Sequence, residues 1–88
     1  MQDPNGNNAG IVMYTTSWCP ACWQAKQVMK SMDVEYQEIN ISDDEEASEA
    51  VQRMNNGYRS VPTIVFPDGS ILTEPQTTTL VNKLQALV

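Results

Sequence analysis

The chain holds two cysteines, Cys19 and Cys22, and the four residues Cys19-Pro20-Ala21-Cys22 set most of what it can become. An apolar, β-rich run, Ile11 to Thr15, leads into them, and a helix-forming run, Trp23 to Met32, leads out. A Cys-x-x-Cys at such a junction reads as a redox dithiol. With Cys19 as the helix cap, Pro20 takes the first helical position, where a missing N–H leaves nothing unsatisfied. Cys22 then lies one turn along, within reach of Cys19. The unpaired N–H groups and the positive end of the helix dipole favour a thiolate at Cys19, the nucleophilic form in disulfide exchange.

The length of 88 residues fits one domain with a small core. Residues 1–9 (M-Q-D-P-N-G-N-N-A) are polar, aperiodic and rich in Asn, and read as a disordered tail ahead of a domain over 10–88. They lack the basic and apolar regions of a secretory signal. No apolar run approaches the roughly 20 residues that cross a bilayer. A cytoplasmic protein is expected, where a cysteine pair serves catalysis or metal more often than structure.

The net charge of −6 argues against nucleic acid as a partner. Eight of the eleven acids lie between Asp33 and Glu49, a distribution suited to a solvated helix face. The absence of histidine excludes a Cys–His catalytic pair and any His-dependent metal site, and no metal site is assigned.

Ile11 to Thr15 suits a strand buried on both faces. Cys22, Ala25, Met29 and Met32, widened by Trp23 and Val28, give the next helix an apolar stripe. Val34 to Ile41 suits a second strand, with Tyr36, Ile39 and Ile41 inward. Ser42-Asp43-Asp44-Glu45 has the form of a capping box with Ser42 as cap. Ala47, Ala50, Val51 and Met54 line a second helix, with Gly57 as its left-handed C-cap. Ile64 to Phe66 and Ser70 to Thr73 form a hairpin about Pro67-Asp68-Gly69. A last helix capped within Thr77 to Thr79 turns Leu80, Val81, Leu84, Leu87 and Val88 inward. The order β-α-β-α-β-β-α predicts an α/β fold: a four-stranded mixed sheet with helices on both faces, its first βαβ unit parallel and right-handed.

This order, with Cys-x-x-Cys after the first strand and Val61-Pro62 before the third, resembles the thioredoxin fold in its minimal, glutaredoxin-sized form. Tyr14-Thr15-Thr16-Ser17-Trp18-Cys19, Arg59-Ser60-Val61-Pro62-Thr63 and the tract from Phe66 to Pro75 resemble the mycoredoxins, glutaredoxin-like proteins of actinobacteria. The resemblance implies Cys19 as nucleophile, Cys22 as resolving or regulating thiol, Pro62 as a cis-proline facing the dithiol, and Val61 as a backbone partner for an extended thiol substrate. Trp18, Pro20, Ala21 and Arg59 complete the expected thiol-binding set, Arg59 as a candidate for a substrate carboxylate.

The implied activity is thiol–disulfide exchange on mixed disulfides between proteins and a small thiol, with an NADPH-dependent reductase recycling that thiol. No tightly bound cofactor is implied, and a monomer is expected. Two departures from glutaredoxins count against glutathione, and mycothiol is favoured as co-substrate: Ile71-Leu72-Thr73-Glu74 stands where a Gly-Gly-x-Asp segment grips glutathione, and no lysine precedes the dithiol. Ala21 departs from both groups, which carry an aromatic residue there. Two alternatives are a dithiol electron donor recharged by thioredoxin reductase, for example to ribonucleotide reductase, and an iron–sulfur-binding module. The second would need ligands from outside this chain.

Overall fold

A computed structural model describes residues 10–87 of the chain. The expected tail over residues 1–9 and the inward placement of Val88 lie outside the described residues. The elements are β1 (Val12–Thr15), α1 (Pro20–Ser31), β2 (Gln37–Asn40), α2 (Glu45–Met54), β3 (Thr63–Val65), β4 (Ile71–Thr73) and α3 (Thr77–Ala86). Their order is the expected one. The sheet runs β2-β1-β3-β4. β1 pairs parallel with β2, placing Tyr14 opposite Ile39, and antiparallel with β3, placing Met13 opposite Ile64. β3 and β4 form the antiparallel hairpin, with Ile64 opposite Leu72.

The faces of the sheet are unequally covered. Ile11 and Met13 pack with Ala25 and Met29 of α1, Ile64 and Phe66 of the third strand region, and Leu80 and Leu84 of α3. The opposite face holds a smaller cluster of Ile41, Ala47 and Val51, with Tyr14, Ile39, Met54 and Val61 against it. This corrects one expectation. β1 alternates rather than being buried on both faces: Met13 and Thr15 are buried, while Val12 and Tyr14 are half-buried. A single helix covers the second face, too little to seal it.

Three helix ends also differ from the sequence reading. Asp44 caps α2: its carboxylate accepts the Ala47 N–H at 3.0 Å, and Ser42 lies two residues too early. At the other end Asn56, at φ 57°, takes the first left-handed position, and Gly57 is at positive φ as expected, 96°. Gly57 follows it and donates its N–H to the Gln52 carbonyl at 2.7 Å. That is the six-to-one bond of a Schellman motif, so the turn sits one residue earlier than a glycine count suggests. α1 ends the same way, with Asp33 at φ 58° and the Val34 N–H bonded to the Met29 carbonyl at 2.9 Å. α3 starts without a side-chain cap; Gln76, not a threonine, holds that position. Leu80 and Leu84 are buried beneath it, while Leu87 is exposed.

The hairpin turn matches its residues closely. Gly69 adopts φ 88°, its N–H bonds to the Phe66 carbonyl, and the Phe66 N–H bonds to the Ser70 carbonyl. This is a three-residue loop closed by a left-handed residue, which glycine occupies without steric conflict.

A candidate dithiol active site at the start of the first helix

Cys19 ends the loop after β1 and is the N-cap of α1. Its backbone is extended (φ −155°, ψ 97°), and its carbonyl accepts the Trp23 N–H at 3.0 Å. Its Sγ occupies the place of a capping oxygen and accepts the Cys22 N–H at 3.1 Å. An ionised sulfur here would meet a helix N–H and the positive end of the dipole. Pro20 opens the helix, as the sequence predicts. Asn40 anchors the loop from below, donating its Nδ2 to Ser17 Oγ at 3.1 Å and accepting the Ser42 N–H at 2.8 Å.

The two sulfurs differ in surroundings. Cys19 is half-buried, whereas Cys22 is only 1% exposed, and both are free thiols. Burial, then a hydrogen bond with Cys19, pushes the Cys22 thiol up to about 12, against the pull of the Thr16 backbone and the Lys26 ammonium. Cys19 is therefore the accessible sulfur and Cys22 the buried one.

The Val61–Pro62 peptide bond is cis. It brings the Val61 carbonyl to 3.9 Å from Cys19 Sγ, so the loop before β3 faces the dithiol across 42 residues of chain. Pro62 is buried, and its carbonyl accepts the Glu74 N–H at 2.8 Å. Asn55, at the C-terminal end of α2, fastens this loop. Its Nδ2 donates to the Val51 carbonyl at 3.0 Å and to Thr63 Oγ1 at 3.1 Å, and its Oδ1 accepts from Thr73 Oγ1 at 2.7 Å. Thr63 Oγ1 in turn donates to the Ser60 carbonyl at 2.7 Å.

A groove beside the dithiol is lined by Trp18, Cys19, Pro20, Cys22, Trp23 and Lys26, with Thr16 and Ser17 at its rim. Trp18 is 88% exposed and Trp23 60%. Ala21 is exposed on the first turn of α1 but does not line the groove. Arg59 lies elsewhere: it lines a separate cleft with Asp43, Asp44, Glu45 and Glu49. The structure thus gathers Trp18, Pro20, Val61 and Pro62 about the two cysteines and puts Arg59 among carboxylates.

Behind Cys22 lies a polar cluster that sequence reasoning missed. Lys26 Nζ donates to Glu38 Oε2 at 3.0 Å, and the buried Thr15 hydroxyl donates to the same oxygen at 2.9 Å. Burial alone would raise the Glu38 carboxyl; the hydrogen bonds from Lys26 and Thr15 outweigh it and hold it below its usual range. The bond to Glu38 likewise raises the Lys26 ammonium against its own desolvation. Lys26 was legible as the residue one turn after Cys22. Glu38 was not, because its approach depends on the β1–β2 pairing.

The dithiol cap, the cis-proline loop facing it and the four-stranded sheet accord with known proteins. The sequence profile described as glutaredoxin matches residues 11–71. The chain belongs to the glutaredoxin family. It is similar to Mycoredoxin 1 of Corynebacterium glutamicum, 38% identical over 80 residues that cover 90% of this chain and 98% of that protein. Among solved structures, a thioredoxin-like protein matches with a TM-score of 0.70 at 32% identity, covering 89% of this chain and 99% of its own. NrdH-redoxin of Escherichia coli, a glutaredoxin-like protein, matches with a TM-score of 0.73 at 24% identity, over 84% of this chain and 92% of its own, which speaks for the fold alone. As a family member the chain is a thiol–disulfide oxidoreductase of thioredoxin-like fold. No helix among the described residues is long and apolar enough to cross a membrane.

Proposed function

We propose that this glutaredoxin reduces mixed disulfides between proteins and a small thiol, with mycothiol favoured over glutathione. Cys19 attacks the mixed disulfide, the protein leaves as its thiolate, and a second thiol releases the adduct from Cys19. Cys22 serves as the resolving or regulating thiol. The Val61 backbone and Pro62 position the substrate's extended chain, a mode that gives affinity without demanding one sequence. The protein works as a cytoplasmic monomer, without a tightly bound cofactor, alongside the thiol's NADPH-dependent reductase.

The observation that carries the choice of thiol is the charge around the groove. Among the described residues its one cation, Lys26, is paired with Glu38, and Arg59 lines another cleft. Glutathione brings two carboxylates that ask for cationic partners; mycothiol, a sugar-borne thiol, brings none. Two exposed indoles flanking the dithiol suit an uncharged ligand with apolar ring faces. The likeness to Mycoredoxin 1 along nearly the whole chain supports the same reading.

The test is NADPH consumption on a protein mixed disulfide with three recycling systems: mycothiol with its reductase, glutathione with its reductase, and thioredoxin reductase alone. Turnover confined to mycothiol is expected. Turnover driven by thioredoxin reductase alone would replace this reading with a dithiol electron donor.

A further inference from the structure

A mixed disulfide on Cys19 can be resolved from within only if Cys22 loses its proton, and Cys22 is the buried thiol of the pair. The groups around it are few. α1 contributes Cys19 and Lys26. β2 contributes Glu38, and just before that strand stands Tyr36, whose hydroxyl is raised by burial and by Glu38. The β1 end contributes the Thr15 hydroxyl and the Thr16 backbone, neither of which carries charge. Lys26 is the only cation among these. It stands four residues after Cys22, on the same face of α1 and in the same groove. Its head is fixed rather than free. Glu38 accepts from it at 3.0 Å, and the fully buried Thr15 hydroxyl pins the same carboxylate oxygen at 2.9 Å.

We propose that Lys26, held in place by Glu38 and Thr15, is the cation that draws Cys22 into attack on an adduct carried by Cys19. The inference rests on the reading of Cys19 as nucleophile. The step balances as an exchange. The Cys22 thiolate attacks Sγ of Cys19, the Cys19–Cys22 bond forms, the bond to the adduct breaks, and the adduct leaves as a thiolate. The proton of Cys22 passes to solvent. In this step the Cys22 sulfur is formally oxidised by one electron and the adduct's sulfur reduced by one; counted with the first attack, the two cysteines lose two electrons and the original mixed disulfide gains two. Lys26 forms no bond to sulfur; it lowers the energy of the charged state through which Cys22 passes. The ammonium lies one turn along α1 in the same groove, and its charge opposes the burial that raises Cys22. Glu38 is a positioning residue, since it acts only through the ammonium it holds.

The experiment uses reduced full-length protein and the chromogenic disulfide of thionitrobenzoate, followed by stopped flow across pH. The first equivalent of thionitrobenzoate reports attack by Cys19, and the second reports its displacement by Cys22. In Lys26→Met the pH midpoint of the second phase should move up, making release several-fold slower at a given pH below it. Lys26→Arg should restore the midpoint, because it keeps the charge. A second phase in Lys26→Met that overlays the wild type at every pH would overturn the proposal. So would Lys26→Arg behaving like Lys26→Met, which would mark the lysine as packing rather than charge. A first phase that persists at the wild-type rate in Cys19→Ser would instead overturn Cys19 as nucleophile, and this inference with it.

Discussion

At the scale of single residues the site divides by how far its partners lie along the chain. Cys19, Pro20 and Cys22 were legible because a helix N-terminus is local: cap, first position and third position fall within four residues. Cys19→Ser should abolish exchange on every substrate, since a hydroxyl in that cap is not ionised at neutral pH. Turnover at the wild-type rate in the NADPH assay would remove the nucleophile assignment. Cys22→Ser should keep turnover that an external small thiol completes, while abolishing release without it. Asn55 was not legible. Read along the chain it is one of two asparagines before a glycine, a plain helix stop. In space it ties α2 to the residue after the cis-proline and to β4. Asn55→Ala removes three hydrogen bonds, two of them to the buried Val51 carbonyl and Thr63 hydroxyl, so a loss of about 2 kcal/mol is expected in urea denaturation. A change below about 0.5 kcal/mol would mean that water replaces the amide without penalty.

The elements themselves follow from patterning, and their ends from details that patterning does not resolve. Helical spacing located α1 and α2, and the Pro67-Asp68-Gly69 turn located the hairpin. The start of α2 was misplaced because Ser42 and Asp44 are both good caps, and a Glu three residues past Ser42 satisfied the capping-box pattern. What decided was register. Asn40 already holds the Ser42 N–H in a turn at 2.8 Å, which leaves Asp44 to face the first helical N–H groups. Asp44 also places its charge at the positive end of the α2 dipole. Asp44→Ala should therefore lower stability by about 1 kcal/mol, while Ser42→Ala should change it by at most a few tenths. Urea denaturation of the two variants side by side separates them. A larger loss for Ser42→Ala would restore the earlier start.

The molecule as a whole is a sheet with one thick and one thin face, tied at its far edge by charge. Lys83 of α3 reaches back over the Phe66 ring at 5.3 Å and pairs with Asp68 of the hairpin turn at 2.7 Å. Topology alone brings this pair together, so its fifteen-residue separation gave no sign of it in the sequence. Asp68 also accepts the Ser70 N–H and hydroxyl, and the Lys83 ammonium with these bonds holds its carboxyl well below the usual range. The unfolded chain therefore binds this proton more readily than the folded one. Linkage then requires a stability contribution that is complete above the ordinary carboxylate range near pH 4, and that is lost as pH falls through and below it. Glu38, lowered by Lys26 and Thr15, adds to the same limb. Because the Asp68 side chain is half exposed to solvent, salt should weaken the pair. Asp68→Asn separates the ion pair from the turn, since an amide oxygen can still accept from Ser70. Its melting temperature should fall less steeply than the wild type's between pH 5 and pH 2, with the two curves meeting at the acid end and a residual slope left to Glu38. Parallel curves across that window would mean that the turn, rather than the charge, joins α3 to the hairpin.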